Sequence, residues 1–422
     1  MREMKDSGIE WIGEIPVNWE VDKLKFHLKR NEPRNPGDTV VLSLYRELGV
    51  IPKDSRDDNH NVTSEDTSKY KYVQPGDFVI NKMKAWQGSV AVSEYEGIVS
   101  PAYFIYKFTD DAFYRRYFHY LLRSCYKDEF MRLSGGIRVG QWDLPSVALD
   151  NTAVIIPPMK EQKSIAAFLD VKCAEIDALT ADIQTQIDTL EQYKRSIITE
   201  AVTRGLNPDV EMKDSGTPWC PLIPIHWKYA NPKALFTQRL DRAYPGDKQL
   251  TASQEYGVIY QDEYMELTGT KIVTVMKDFS ILKHVEPNDF VISMRSFQGG
   301  LEYSERRGSI SSAYVMLIPN NEYVYPPFYR WFFKSSKYIN AIQSTSNLVR
   351  DGQAMRYANF AQVPLFIIPL DEQKQISEYL DEKVRKIDEI LKSKNNQLEI
   401  LAEYKKSLIY EYVTGKKEVP SI

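Results

Sequence analysis

Cysteine is scarce in this chain. Cys125, Cys173 and Cys220 are scattered, odd in number and without a C-x-x-C pair. That set frames no disulfide scaffold and is the pattern expected of a reducing, cytoplasmic compartment. Histidine is scarcer than catalysis by metal would suggest: His27, His60, His119, His226 and His284 share no ligand spacing with one another or with a cysteine. No apolar run approaches the roughly 20 residues that span a bilayer, and the opening MREMKDSGIEWIG is too polar for a signal peptide, so a soluble protein without a membrane role is expected. Glycine-rich phosphate loops are missing too, both G-x-x-x-x-G-K-[ST] and the strand-to-helix dinucleotide turn. A formal net charge of −4 does not advertise a nucleic-acid binder. It does not exclude one, because acidic and basic surfaces can occupy different parts of one molecule.

What the sequence has is itself, twice. MKDSGIEWIGEIPVNW begins at Met4 and MKDSGTPWCPLIPIHW at Met212, 208 positions later in a chain of 422. LGVIPKD at Leu48 faces YGVIYQD at Tyr256 with the same offset. Further anchors follow in order: QPGDFVINKMKAWQGS with EPNDFVISMRSFQGG, GIVSPAY with GSISSAY, IRVGQ with LVRDGQ, and IIPPMKEQKSIAAFLD with FIIPLDEQKQISEYLD. Between anchors little is shared, which predicts a repeated scaffold with unlike connecting surfaces. The chain is long enough to bury several cores without disulfides.

Short stretches rich in Val, Ile, Tyr and Phe, such as DFVIN, GSVAVSEY, AYFIYKF, DFVIS and AYVMLIP, predict strands. DAFYRRYFHYLLRSCYKDEFMRL and PPFYRWFFKSSKYINAIQS carry helical periodicity. Each half therefore opens with a mixed α/β domain and closes with a different kind of segment. From Met159 to Arg204 there is neither Pro nor Gly, and Leu169, Ile176, Ile183, Leu190 and Ile197 recur at every seventh position, with Ile165, Leu179 and Tyr193 on a neighbouring row. This predicts a long helix entered after Pro158 and stopped at Gly205. Its repeat carries Leu380, Ile387, Leu391, Leu398, Leu401 and Leu408, with Lys394 where the first copy has Ile183, so a looser seam is expected there.

An amphipathic helix of about 40 residues, about 60 Å long, cannot hide its stripe against a small domain, but two can hide it against each other. An antiparallel pair with approximate two-fold symmetry is therefore expected. The box at Met4 should then pack at the end of the second helix, as the box at Met212 follows the first. The fold class is α/β (α+β), two mixed domains joined by two long antiparallel coiled-coil helices, divided as 1–157, 158–205, 206–368 and 369–422.

Two catalytic near misses fail on chemistry. YPPFY at Tyr325 resembles the Asn/Asp-Pro-Pro-aromatic loop of amino-methyltransferases but offers a phenol where the target amine needs a side-chain acceptor; a helix start explains it. Asp209 and Glu211 in PDVEMK are too close together to come from the adjacent strands of a metal nuclease. Two groups of loop residues carry more. Lys82, Lys84, Trp86 and Gln87 match Arg295, Phe297 and Gln298: cation, aromatic, amide, then glycine, a combination that can meet phosphates and base edges. Arg138 with Gln141, and Arg350 with Gln353, are similar candidates. An ordinary turn with an inward aromatic, or solvated loop charge, is the structural alternative. The box tryptophans Trp11, Trp19, Trp219 and Trp227 stand beside Pro16 and Pro224 and read as a packing clasp.

Taken together, the doubled MKDSG box, the KMKAWQG and GIVSPAY anchors and the doubled EQ-led heptad helix resemble the DNA-specificity subunit of Type I restriction-modification systems over essentially the whole chain. The resemblance implies a non-catalytic subunit. Two target-recognition domains, here roughly 20–155 and 228–366, each read one part of a split duplex DNA site, and helices starting near Glu161 and Glu372 act as spacer. It further implies two methylation subunits docked on the helices and restriction/translocase subunits beyond them, with S-adenosylmethionine, ATP and magnesium on the partners and no cofactor on this chain. Thr217-Pro218 and Cys220-Pro221 replace Ile9-Glu10 and Ile12-Gly13 in the second box, so the two docking sites need not be equal. The rival from another class is a cytoplasmic coiled-coil scaffold without a DNA role; a third reading is a self-sufficient methyltransferase.

Overall fold

The computed structural model describes residues 2–37, 39–45, 48–55, 63–64, 66–136, 142–272, 274–275, 279–293, 301–345 and 356–420. They form two compact units, Met1–Ile183 with Asn396–Ile422, and Gln184–Asn395. The units thus divide each long helix between them instead of setting the helices apart. Among the described residues no helix is long and apolar enough to cross a membrane.

In the first unit a four-stranded antiparallel sheet runs in the order Leu28–Arg30, Tyr103–Phe108, Phe78–Asn81, Val90–Val92. The second unit repeats that order with Phe236–Arg239, Tyr314–Pro319, Phe290–Ser293 and Glu302–Tyr303. Both faces of each sheet are covered, which explains why FVIN is buried throughout and why Phe78, Val79 and Ile80 are apolar in succession instead of alternating. Phe78, Ile80 and Tyr106 join the core under helix Arg115–Cys125, whereas Val79, Ala91 and Ile105 pack with Leu42, Val73 and Val99. Phe290, Ile292 and Leu317 on one side, and Val291 and Met316 on the other, do the same in the second unit. The turn entering the Phe78 strand needs a positive φ, supplied by Gly76 at 89° and in the repeat by Asn288 at 75°. Asp77 and Asp289 close these turns, each accepting a backbone N–H at 2.9 Å from Gln74 and Glu286 respectively.

The two long helices are continuous, Met159–Arg204 and Leu370–Val413. Within the first unit Lys405 Nζ lies 2.6 Å from Asp177, and the rings of Phe168 and Tyr412 are 4.5 Å apart. Lys194 meets Asp388 at 2.5 Å within the second. In the first unit rising numbers on one helix meet falling numbers on the other, and in the second Gly205 lies against Glu372 where Lys194 meets Asp388, so the pairing is antiparallel in both, as expected. Leu169, Ile176, Ile183, Ile197, Leu380, Ile387 and Leu408 are buried in the seam. Leu190, Leu391, Lys394, Leu398 and Leu401 are only partly covered.

One expectation is corrected. Leu179 and Tyr193, assigned by spacing to the seam's second row, are 48% and 52% exposed. At about 100° per residue both fall on the flank of the stripe, and Cys173, Ile187 and Ile198 complete the buried row instead.

Candidate nucleic-acid interface

The ends of the helices hold the recognition scaffold in place with a duplicated clasp. Trp19 is fully buried and its indole N–H donates to Glu161 at 2.9 Å, where Arg2 also pairs. Trp227, equally buried, donates to Glu372 at 3.0 Å, with His226 on the same carboxylate at 2.8 Å. The next residue ties helix to domain. Gln162 donates to the carbonyls of Ala112 (2.7 Å) and Pro157 (2.8 Å) and accepts from the N–H of Tyr114 (2.7 Å). Gln373 does the same for Tyr323, Ile368 and Tyr325 at 2.8, 2.9 and 2.8 Å. Tyr325 is therefore the N-cap residue of helix Pro326–Phe332, its N–H already bound, which accounts for YPPFY as a helix start. Sequence reading saw the EQ pair as a repeat marker and missed these roles; the signal was two polar residues recurring unchanged at the mouth of an apolar stripe.

Gly415 ends the second helix at φ 72°, and a Cβ there would lie 2.5 Å from Pro16 and 2.9 Å from Trp19. Tyr410 hydroxyl donates to Trp11 carbonyl at 3.1 Å, and Lys416 ammonium to Glu14 carbonyl at 2.5 Å. The first box thus packs at the end of the second helix, as expected from the repeat. Trp11 packs edge-on to Tyr126, and Trp219 lies among Phe332, Tyr338 and Phe366, so both act as structural clasps.

On this scaffold the first candidate loop projects from the Phe78–Asn81 strand. A single 3-10 turn, Ala85–Gln87, anchored by the buried Ala85 and ended by Gly88 at φ 86°, presents Lys84 to solvent with Trp86 and Gln87 half-buried beside it. Trp86 donates to Met83 carbonyl at 3.0 Å and meets Trp142 edge-on at 5.6 Å. Lys84, Trp86 and Gln87 line a concavity of about 360 Å3 together with Asn81, Tyr70 and Tyr103. Burial raises the Tyr103 phenol above its ordinary range, so it stays a neutral donor and acceptor. The aromatic therefore packs against a neighbour while the cation stays exposed, which combines the two readings of this loop.

Lys82 is held differently. Its ammonium pairs with Asp143 at 2.8 Å and lies 6.0 Å from the Phe104 ring, which Arg30 covers at 4.3 Å and Lys71 approaches at 5.8 Å. Arg30 and Lys71 share Glu32 at 2.7 and 3.0 Å. Burial pushes the Glu32 carboxyl up, but hydrogen bonds from Arg30 and Lys71 outweigh it and hold the group below the usual carboxylate range. Trp142 and Asp143, which complete this surface, were missed although they directly follow the IRVGQ anchor. Arg138, Gln141, Arg295, Phe297, Gln298, Arg350 and Gln353 lie outside the described residues.

In the second unit Lys283 repeats Lys71, each ammonium donating at 2.6 Å to the carbonyl of Tyr314 and Tyr103 respectively. The surrounding charge is new. Arg239 forks onto Asp289 at 2.6 and 3.0 Å, and the fully buried His284 stands between Asp247 and Glu286, both at 2.7 Å.

Residues 16–189 match the family model of the Type I restriction modification DNA specificity domain. The chain is 23% identical over 431 residues to a Methanocaldococcus jannaschii protein assigned as the type I restriction enzyme MjaX specificity subunit, covering 97% of this chain and 96% of that one. It is 22% identical to the Escherichia coli type I restriction enzyme EcoBI specificity subunit over 320 residues, 73% of this chain and 66% of the relative. A solved chain from work on the assembly and conformational transition of the type I R-M system has the same fold, with a TM-score of 0.69 at 13% identity, covering 96% of this chain and 99% of that chain. The HsdS subunit from Thermoanaerobacter tengcongensis matches with a TM-score of 0.51 at 13% identity, covering 96% and 98%.

Proposed function

We infer that this chain, which belongs to the DNA-specificity subunits of Type I restriction-modification systems, reads a bipartite duplex target with two unlike surfaces on one repeated scaffold. One observation carries the reading: every strand ladder recurs in the two units, while the charges around Lys71 and Lys283 do not. Equal scaffolds with unequal surfaces are what two different half-sites require, because phosphate contacts position the protein and base contacts specify. We assign residues 1–157 and 206–368 to the two recognition segments and 158–205 and 369–422 to the spacer helices. Lys84, Trp86 and Gln87 are the proposed first-site contacts. Lys82 takes part once DNA phosphate replaces Asp143 as its counter-ion. Arg138, Gln141, Arg295, Phe297, Gln298, Arg350 and Gln353 complete the proposed set.

The chain itself performs no catalysis and holds no cofactor in this reading. Two methylation subunits bring S-adenosylmethionine, and restriction subunits bring ATP and magnesium, all in the cytoplasm. The deciding experiment is a genome-wide map of N6-methyladenine in the host with and without this gene. Loss of one bipartite motif on deletion supports the reading and reveals both half-sites; an unchanged map in a strain shown to express an active methylation subunit refutes it.

A further inference from the structure

Met83 is 45% exposed on the loop that leaves the Phe78–Asn81 strand, with Lys82 before it and Lys84 after it. Single exposed apolar residues are ordinary on a protein surface. This one differs in how its backbone is held. Its N–H donates to Asn81 Oδ1 at 3.2 Å, and its carbonyl accepts from the Trp86 indole at 3.0 Å. On either side, the Lys82 carbonyl accepts from the Leu144 N–H and the Lys84 N–H donates to the Asn81 carbonyl, both at 3.0 Å. Both backbone groups of Met83 are thus satisfied inside the loop, and its exposed side chain ends in a thioether. The sequence repeats the arrangement: Met294 precedes Arg295 as Met83 precedes Lys84, and Phe297 and Gln298 follow as Trp86 and Gln87 do.

A thioether has no proton to donate and accepts only weakly, so it cannot read the donor and acceptor pattern of a base edge. What it can recognise is an apolar group. The base edges of duplex DNA offer one, the C5-methyl of thymine, and they offer it in the major groove alone. The neighbours suit the same groove. Lys84 is exposed where it can meet a phosphate, and Gln87, whose amide matches the N6 and N7 edge of adenine, follows on the same turn. Met83 also lines the concavity that Trp86 and Gln87 line, together with Ala102, so a methyl group entering it meets apolar surface.

We propose that Met83 reads a thymine: its side chain packs on the C5-methyl of one thymine in the half-site bound by the first domain, which makes it a specificity-determining residue in a loop that Lys84 positions. The inference rests on the family reading for the duplex itself. Covering one methyl group corresponds to about a fourfold preference for thymine over uracil, which differs by that methyl alone. Because the backbone of Met83 is already tied at both groups, little ordering of the loop has to accompany binding.

The test uses the chain assembled with the methylation subunits of its system, and duplexes carrying the mapped bipartite target in which each thymine is replaced in turn by deoxyuridine. Competition binding by the wild-type complex should show a loss of about fourfold at one thymine. In Met83→Ala that loss should vanish, thymine and uracil duplexes binding alike. Met83→Leu should keep the preference, whereas Met83→Gln, of similar length but polar, should lose it. Lys84→Ala should weaken both duplexes by one factor and leave their ratio unchanged. A thymine-to-uracil ratio that is the same in wild type and Met83→Ala at every position would overturn the proposal. So would a Met83→Ala complex that binds more weakly with no dependence on the methyl, the behaviour of a wedge between base steps. Either result leaves the family reading intact, whereas a wild-type complex that prefers no bipartite duplex sinks both. If circular dichroism shows that Met83→Ala does not fold, the ratio in Met83→Gln decides in its place.

Discussion

Replacing Gln162 by Leu keeps the volume of a fully buried side chain and removes three hydrogen bonds. The carbonyl of Pro157 is left with its helix-side partner gone in a buried setting, which costs about 2 kcal/mol; the Ala112 carbonyl and Tyr114 N–H lie nearer solvent and cost about 1 kcal/mol each. The sum of about 4 kcal/mol corresponds to a fall of about 8–16 °C in the melting temperature of a unit of this size. Differential scanning calorimetry of the full chain should show the loss in one unfolding transition only, that of the unit containing Gln162, with Gln373→Leu lowering the other. Gln184→Leu on the exposed face of the same helix should move stability by no more than about 0.5 kcal/mol. Gln162→Glu supplies the sharper discrimination. A carboxylate can still accept from Tyr114 but repels both carbonyls, so it should be at least as damaging as Leu. If Gln162→Leu melts like Gln184→Leu, or Gln162→Glu is benign, the side chain is packing and not a three-way tie.

Gly415→Ala should cost about 3 kcal/mol, from the left-handed backbone and the displacement of Pro16 and Trp19, whereas Gly8→Ala, at φ 71° with open space around it, should cost about 1–2 kcal/mol; chemical denaturation compares them. Burial pushes the His119 imidazole down to about 3, helped by the guanidiniums of Arg123 and Arg116. Its folded form is depressed below the ordinary 6.5, so the stability it contributes is complete above about pH 6.5, falls as pH falls, and is gone by about 3. At pH 5 the loss is about 2 kcal/mol, and urea midpoints of His119→Gln should lack that slope. Lys84→Glu in the assembled complex should weaken target binding and reduce the magnitude of the salt dependence by about one ion or more, while Lys82→Ala, whose ammonium already has Asp143, should do less. Fluorescence anisotropy against salt separates them, and equal slopes for the two variants would refute the assignment of the free cation.

The repeat, the strands and the helix bounds were legible because each rests on local chemistry: Pro158 before the first helix, Gly205 after it, apolar residues at period seven between them. The register of the seam was less so. Heptad counting placed Leu179 inside, yet a helix of 3.6 residues per turn drifts from a strict period of seven, and which flanking residue is covered depends on the partner helix. The loop that carries Lys84, Trp86 and Gln87 was found from sequence, but Lys82 and Lys84, two positions apart, could not be told apart there. Only the fold brings Asp143 across to the first and leaves the second in solvent.

The same contrast explains which parts of the repeat have stayed alike. Gln162 and Gln373 each satisfy three buried or half-buried backbone groups, and no other side chain of that size both donates twice and accepts once in that geometry. Lys71 and Lys283 likewise keep one bond to a strand carbonyl. Next to them the constraint ends. Glu32, which neutralises Lys71, is answered in the second copy by Leu240, 75% exposed, and Arg30 by Gln238. Exchanging the Arg30–Glu32 ion pair for a glutamine and a leucine leaves the sheet untouched but removes both the cation and the carboxylate beside the lysine, and a charged surface near DNA is where such a change alters which duplex is bound. A scaffold fixed by buried hydrogen bonds is thereby free to carry two surfaces of different charge, and each can change without disturbing the bonds that hold it to its helix.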